Sequence, residues 1–302
     1  MTSSYETGST TLPPWLKVVA GGGPRYARVR DTLARLRLET VCQSARCPNV
    51  GECWGGGTAT VMLMGAACTR GCRFCHVRSA AHPAPPDPDE PRRVAEAVRA
   101  LQLDYVVVTS VDRDDLPDGG AAHFAETIRR LAELPRLLVE VLTPDFRGDP
   151  EAVRVVGRAA PTVFATNLET TRRLTPRVRD PKAGYAQTLG VLEQVRREFP
   201  AIVTKSSIMV GLGETEAEVE ETLRDLRAVG VEIVTIGQYL RPSPRHLPVA
   251  QYVAPERFVA YREAGLRLGF RYVASGPLVR ASYRAGELFL RGEIGARHVA
   301  GA

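Results

Sequence analysis

Six cysteines, every one in the 302-residue chain, fall between positions 42 and 75 in two groups of three. Cys42, Cys47 and Cys53 sit in VCQSARCPNVGEC, with four and then five residues between them. Cys68, Cys72 and Cys75 sit in CTRGCRFC, with intervals of three and two. Thiols crowded in this way, in a chain whose N-terminus MTSSYETGST lacks the basic and apolar regions of a secretory leader, point to ligands and not to disulfides. Thiolates bind soft metals, with iron–sulfur clusters or zinc the common outcome. Either centre has a fourth corner that three cysteines leave unfilled. Zinc completed by His76 is one reading of the second triplet. Against it, zinc sites favour two separate C-x2-C pairs, and His76 adjoins Cys75, where its ring reaches the same metal poorly. Gly71 is expected to let this loop fold tightly enough for three sulfurs to converge.

The elements that must position these thiols are legible from Thr58 onward. Apolar runs of strand length (ATVMLMG, DYVVVTS, LLVEVLT, TVFATNL, IVTKSSIMVG, EIVTIGQYL) alternate with amphipathic helical stretches. Val94, Val98 and Leu101 share one helical face. Phe124, Ile128, Leu131 and Leu134 share another, and Val219, Leu223, Leu226 and Val229 a third. Continuous Val/Ile-rich strands separated by helices predict an α/β fold with a parallel sheet buried on both faces. Polar segments follow directly on at least four strands: TSVDRDD, TNLET, GLGET and QYLRPSP. Candidates spread over so many strand ends favour a partial (β/α)6 barrel of TIM type over an open doubly wound sheet, which gathers its ligands at one switch point. A seventh short strand, FRYVAS, and a tail follow. Ahead of the barrel, VRDTLARLRLET places Val29, Leu33 and Leu36 on one helical face. The Pro-rich stretch at 81–91 is a stiff loop, with Asp89 the expected N-cap before Pro91. The expected division is an N-terminal extension (1–57) carrying the first triplet, a barrel (58–275) and a C-terminal tail (276–302).

C-x3-C-x2-C at the end of the first barrel strand, with Phe74 before the last cysteine, resembles the radical S-adenosylmethionine (SAM) superfamily. C-x4-C-x5-C upstream of it resembles the lipoyl synthase family within that superfamily. PPWLK, CPNVGECW, TSVDRDDLPDGG, TNLET, SSIMVGLGE and ASGPLVRASYRAGE extend the resemblance across most of the chain. It implies two [4Fe–4S] clusters. Cys68, Cys72 and Cys75 would hold one cluster whose fourth iron is chelated by SAM. Cys42, Cys47 and Cys53 would hold an auxiliary cluster whose fourth iron takes a serine of a C-terminal Arg-Ser-Ser-Tyr-Arg motif. That motif here is Arg280, Ala281, Ser282, Tyr283, Arg284, so the ligand maps to Ser282 and the family's first serine is replaced by Ala281.

The resemblance further implies the reaction. Two sulfur atoms enter at C6 and C8 of an octanoyl chain carried on a lysine. Each insertion begins with hydrogen abstraction by a 5′-deoxyadenosyl radical, and the auxiliary cluster is consumed as sulfur donor. The implied partners are octanoylated lipoyl carrier domains (2-oxoacid dehydrogenase E2 or glycine-cleavage H protein), a flavodoxin- or ferredoxin-type reductant and an iron–sulfur carrier that reloads the cluster. For SAM itself, strand-end residues are the candidates. Thr109, Ser110 and Asp112 suit the methionine or ribose portion, and Asn167 and Glu169 the ribose hydroxyls. Gly211 and Gly213 offer close-approach backbone under adenine. Lys205, one of three lysines in an Arg-rich chain, joins them if its register points it inward. The loop RPSPRHL is expected to meet an acidic carrier domain through Arg241 and Arg245.

Other readings fit less well. Biotin synthase lacks a clustered upstream triplet. Methylthiotransferases space their upstream cysteines widely and carry a C-terminal RNA-binding module. A zinc-stabilised RNA-binding protein would suit the net charge of +6, but aromatics are only 6% and the basic residues form no run. No stretch approaches the roughly 18 apolar residues of a membrane span. The expectation is a monomeric cytoplasmic enzyme that engages neither nucleic acid nor membrane.

Overall fold

The computed structural model describes residues 12–18, 21–56 and 59–282. After a 3-10 turn (Pro14–Leu16) come α1 (Pro24–Arg35), β1 (Glu39–Thr40), α2 (Val41–Ser44) and α3 (Val50–Gly55). The first barrel strand, β2 (Thr60–Leu63), leads into a small ribbon of β3 (Ala67–Cys68) and β4 (Arg78–Ser79). A regular alternation follows: α4 (Glu90–Leu101), β5 (Tyr105–Ser110), α5 (Ala121–Ala132), β6 (Leu138–Leu142), α6 (Pro150–Arg158) and β7 (Val163–Ala165). It continues through α7 (Thr175–Val178), α8 (Tyr185–Glu198), β8 (Val203–Val210), α9 (Glu216–Ala228), β9 (Ile233–Gln238), α10 (Pro255–Arg267) and β10 (Tyr272–Gly276).

The main sheet runs β1-β2-β5-β6-β7-β8-β9-β10. Each barrel strand lies beside its predecessor in parallel register, as in Val61↔Val108, Val108↔Val141 and Ile208↔Ile236. Only β1 runs antiparallel, against β2. The sheet stays open between β1 and β10, so six strand–helix units and a seventh strand make a partial barrel, as predicted. Two short features escaped prediction: β1, and the β3–β4 ribbon.

The helices bury the faces that the spacing marked. Val94 and Val98 of α4, Phe124, Ile128 and Leu131 of α5, and Val219, Leu223 and Leu226 of α9 are all buried, each worth about 1.5–3 kcal/mol relative to exposure. Leu101, Leu134 and Val229 sit at the margins of the same clusters. Helix α9 starts in a capping box, Thr215 accepting from the Glu218 N–H while Glu218 accepts from the Thr215 N–H. Asp89 holds the N-cap position of α4 but makes no capping bond; its carboxylate is drawn off to Arg92 at 2.7 Å. Before the barrel, Val29, Leu33, Leu36, Cys42 and Trp54 join one core with Val61, Met62 and Val94. The segment bearing the first triplet is thus packed on the barrel wall, which decides where its thiols face.

Candidate active site

The C-terminal strand ends open onto a cavity of ≈ 520 Å³. All six cysteines line it, together with Ser282. All six are free thiols.

The second triplet is held by ion pairing. β3 and β4 pair through Ala67↔Arg78 and Cys68↔Ser79, closing the base of the loop that carries Cys72 and Cys75. Thr69 N–H donates to Asp112 O at 3.0 Å, and Arg73 N–H to Val178 O at 2.9 Å. Inside the loop, buried Arg70 reaches Asp114 at 2.9 Å, Asp145 at 2.8 Å and Asp112 at 3.1 Å. Burial opposes the Arg70 charge, but the carboxylates of Asp114, Asp112 and Asp145 outweigh it and raise its pKa. Burial pushes Asp112 up to about 6, with Arg70 pulling the other way. Backbone N–H groups of Arg70 and Asp112 point at Cys68 Sγ from 3.4 and 3.3 Å, and that of Asp180 at Cys72 Sγ from 3.3 Å. Burial pushes Cys68 and Cys72 up to about 12 and Cys75 up to about 11. They are therefore neutral thiols at pH 7, and metal binding must displace their protons. Gly71 does not have the role expected of it. A Cβ there would meet only ordinary contacts at 3.8 Å, and its structural contribution is an N–H donated to Asp180 at 2.8 Å.

The first triplet is held by short helices and apolar packing. Thr40 caps α2, accepting from the Gln43 N–H at 3.3 Å. Cys47 N–H returns to Cys42 O at 3.0 Å, and Cys53 N–H to Asn49 O at 2.9 Å. Trp54, 1% exposed, lies against Tyr26 with ring centroids 5.1 Å apart. Its indole N–H has no partner at full hydrogen-bond geometry among the described residues, and near Cys42 it pulls that thiol against the effect of burial. Burial pushes the Cys42 thiol up.

Of the strand-end candidates, Thr109, Ser110, Asp112, Asn167 and Glu169 all line the cavity. Thr109 Oγ1 donates to Leu142 O at 2.9 Å, while Ser110 Oγ is buried without a partner among the described residues. Glu169 adopts φ +68°, uncommon for a side-chain-bearing residue, and locks it with backbone bonds to Ser207 and Met209. Asn167 Nδ2 donates to its Oε1 at 3.0 Å, and burial raises its carboxyl pKa.

Three candidates lie elsewhere. Lys205 does not line the cavity; its Nζ is 2.6 Å from Glu140 Oε1, deep in the sheet, and Glu140 also accepts from Tyr105. Ser207, two residues on and on the same face of the strand but nearer its C-terminal end, lines the cavity in its place. Gly211 and Gly213 also stand outside the lining. With φ of +97° and +105° they form the turn into α9, where Glu214 accepts from the Gly211 and Leu212 N–H groups. Turn chemistry explains both glycines.

Sequence reasoning passed over Arg70, Arg179, Asn49, Gln238 and His246. One signal was available: an arginine between two cysteines in a closed loop needs carboxylate partners, and DRDD supplies two of them. His76 and His246 stack at 5.6 Å, with His76 Nδ1 3.1 Å from Ser44 O and His246 Nε2 3.0 Å from Cys75 O, so the two triplets and the RPSPRHL loop touch. Arg241 lines the cavity but donates to His246 O and Pro244 O of its own loop, whereas Arg245 is exposed. Tyr283 and Arg284 of the tail motif lie outside the described residues.

The donor set fits soft iron centres. Among the described residues no three of His, Cys, Asp and Glu converge tightly enough for a single metal ion. A cluster asks something else, one thiolate per iron, and three free thiols per triplet on one cavity can supply that.

A model for the radical SAM superfamily matches residues 62–226, and one for the N-terminal domain of lipoyl synthase matches residues 3–47. The chain is 75% identical to the lipoyl synthase of Anaeromyxobacter dehalogenans over 94% of its length and 97% of that protein. It is 60% identical to the lipoyl synthase of Thermus thermophilus, covering 92% and 86%. It is 55% identical to the mitochondrial lipoyl synthase of Drosophila mojavensis, covering 94% and 80%. Among solved structures, methylornithine synthase shares the fold with TM-score 0.56 at 14% identity, covering 81% of this chain and 74% of that one. Streptococcus suis SuiB bound to S-adenosylmethionine does so with TM-score 0.52 at 11% identity, covering 73% and 50%.

Proposed function

The chain belongs to the lipoyl synthase family of the radical SAM superfamily, and from that premise we propose that its two cysteine triplets divide one sulfur-insertion reaction between them. It is an enzyme that inserts sulfur, and as a radical SAM protein it uses SAM and a [4Fe–4S] cluster. Its substrates are lipoyl carrier proteins. In our reading Cys68, Cys72 and Cys75 hold the cluster that binds SAM, and Cys42, Cys47, Cys53 and Ser282 hold a second, auxiliary cluster. When bound, SAM and its reduced cluster supply a primary carbon radical able to break unactivated C–H bonds, and the auxiliary cluster supplies sulfur. No side chain in the cavity could do that work by proton transfer, since such bonds have no acidic proton.

The chain's own residues bind, orient and exclude water. Thr109, Ser110, Asp112, Asn167 and Glu169 form a polar wall suited to the amino acid and ribose of SAM, and Ser207 joins them. The apolar lining, including Met62, Val107 and Leu142, suits an octanoyl chain lying between the triplets. The observation that carries the proposal is that both triplets and Ser282 line one cavity, since a radical formed at one centre must reach a carbon placed against the other. Around this site we keep the division into a cysteine-bearing extension (1–57), a barrel (58–275) and a serine-bearing tail (276–302). We assign the octanoyl-lysine of E2 or H-protein domains as substrate, docked near exposed Arg245. A flavodoxin- or ferredoxin-type protein supplies electrons, and an iron–sulfur carrier rebuilds the cluster in the cytoplasm. Among the described residues no helix is long and apolar enough to cross a membrane.

The test is anaerobic reconstitution to about eight irons per chain, two four-iron clusters, then incubation with SAM, reductant and an octanoyl-lysine peptide. Mass spectrometry should find two sulfurs added. A fully loaded protein that cleaves SAM and leaves the peptide unchanged would overturn this reading.

A further inference from the structure

The tail reaches the cavity through contacts that the ligand assignment does not explain. Asn49 lies between Cys47 and Cys53, is 2% exposed, and donates through Nδ2 to Leu278 O at 2.6 Å. That bond joins the first-triplet segment to the tail across 229 residues of chain. On the other side the tail lies on β9. A Cβ at Gly237 would overlap the carbonyl oxygen of Val279, so the tail backbone fits only because position 237 has no side chain. Gly237 is not needed for a left-handed turn; what it permits is a close backbone approach. Arg280 completes the grip, donating to Gln238 O at 3.3 Å and to Val279 O at 2.7 Å. Burial lowers the pKa of its guanidinium, which lies near Cys47.

We propose that Asn49 and Gly237 form a clasp that positions the C-terminal tail, and that they decide whether the Ser282 hydroxyl is presented to the first triplet. This rests on the reading of Ser282 as a cluster ligand. Both are positioning residues, acting through the backbone of 278–280. The arrangement is one-sided: among the described residues the second triplet sits in its own ion-paired loop, tied to Asp112, Asp114 and Asp145 and not to the tail. Among the described residues the tail meets Asn49, Gly237 and Gln238 as it crosses from β10 toward the first-triplet segment. Each backbone hydrogen bond is individually modest, so a single substitution is enough to shift the tail. The Asn49 Oδ1 is buried without a partner among the described residues, so the side-chain amide is held through its Nδ2.

The experiment compares the reconstituted full chain with Gly237→Ala, Asn49→Ala and Ser282→Ala. Hydrogen–deuterium exchange by mass spectrometry reads the tail peptide at 277–282. Mössbauer and EPR spectra read the auxiliary cluster, with the SAM-binding cluster as internal control. Gly237→Ala should speed exchange in that peptide by on the order of tenfold and Asn49→Ala by about three- to tenfold, as expected for contacts of this strength. Both should alter the auxiliary-cluster spectrum as Ser282→Ala does, leaving the SAM-site signal unchanged. Faster tail exchange with an unaltered spectrum in all three variants would support the clasp and sink the serine ligand. Unchanged exchange in both Gly237→Ala and Asn49→Ala would overturn the clasp, whatever the spectra show.

Discussion

Around Cys68, Cys72 and Cys75 the protein gathers three aspartates on one buried arginine; around Cys42, Cys47 and Cys53 it gathers Trp54, Tyr26 and a stretch of chain from the far end of the molecule. The first arrangement fixes its loop. Arg70 is bonded on several sides, and the loop's backbone is tied to Asp112, Val178 and Asp180. The second leaves its loops on two helices of 4 and 6 residues, too short to be stable without packing. The difference suits the two proposed roles. A cluster that passes an electron and returns to its starting state benefits from rigid walls. A cluster that gives up sulfur must be dismantled and rebuilt, and a serine on a detachable tail is a harder, weaker partner for iron than a thiolate.

The largest expected break in this comparison is Arg70→Leu. Among the described residues it leaves Asp145 and Asp114 only the longer ion pairs to Arg179 and Lys182, each at 3.6 Å, and should cost about 3 kcal/mol in chemical denaturation. Iron at the SAM-binding triplet should fall while the auxiliary cluster persists. Equal loss at both triplets would mean that the ion-paired loop is not local in its effect. Trp54→Phe tests the other side. It keeps an aromatic against Tyr26 but opens a small cavity, for about 1–2 kcal/mol, with loss confined to the auxiliary cluster. Arg245→Glu sharpens the comparison by leaving both triplets intact. Affinity for an octanoylated carrier domain should drop by roughly tenfold at low salt and by less at high salt; titration calorimetry that finds no change removes this loop as the docking face.

The smallest effect is a control far from both triplets. Thr215→Ala should cost about 1 kcal/mol of stability at pH 7 with both clusters retained. The Arg173 side chain holds Glu218 down to about 2. Its contribution is therefore complete above the ordinary glutamate range and disappears as pH falls through that range toward 2. The gap in Tm between wild type and Glu218→Gln should accordingly narrow from pH 7 to pH 3. A gap that widened toward low pH would contradict the ion pair.

Much of the site could be read without coordinates, for reasons particular residues make plain. Cys68, Thr109 and Glu169 were found because they follow apolar runs, and a parallel barrel must deliver the ends of its strands to one face. Lys205 shows where that reasoning stops. Lys205 and Ser207 share one face of β8, and no pattern in IVTKSSIMVG tells how far along that face the cavity begins; Lys205 stops a layer short of it, on Glu140, and Ser207 reaches it. Gly211 and Gly213 fall outside the cavity lining for a different reason. A glycine at a strand end serves a turn as readily as a ligand, and only the backbone angle separates the two.

Sequence alone determined the chemistry. Thiol count, spacing and order are covalent facts, and they select soft-metal ligation before any fold is known. The alternation of strands and helices likewise determined the partial barrel, because hydrophobic period is written in the order of residues. Tertiary structure alone decided which distant groups meet. Arg70 found Asp145, 75 positions away, and Asn49 found the carbonyl of Leu278, because burial leaves charged and polar groups only the partners that packing brings within reach. That selection depends on the whole sheet, and no local pattern encodes it.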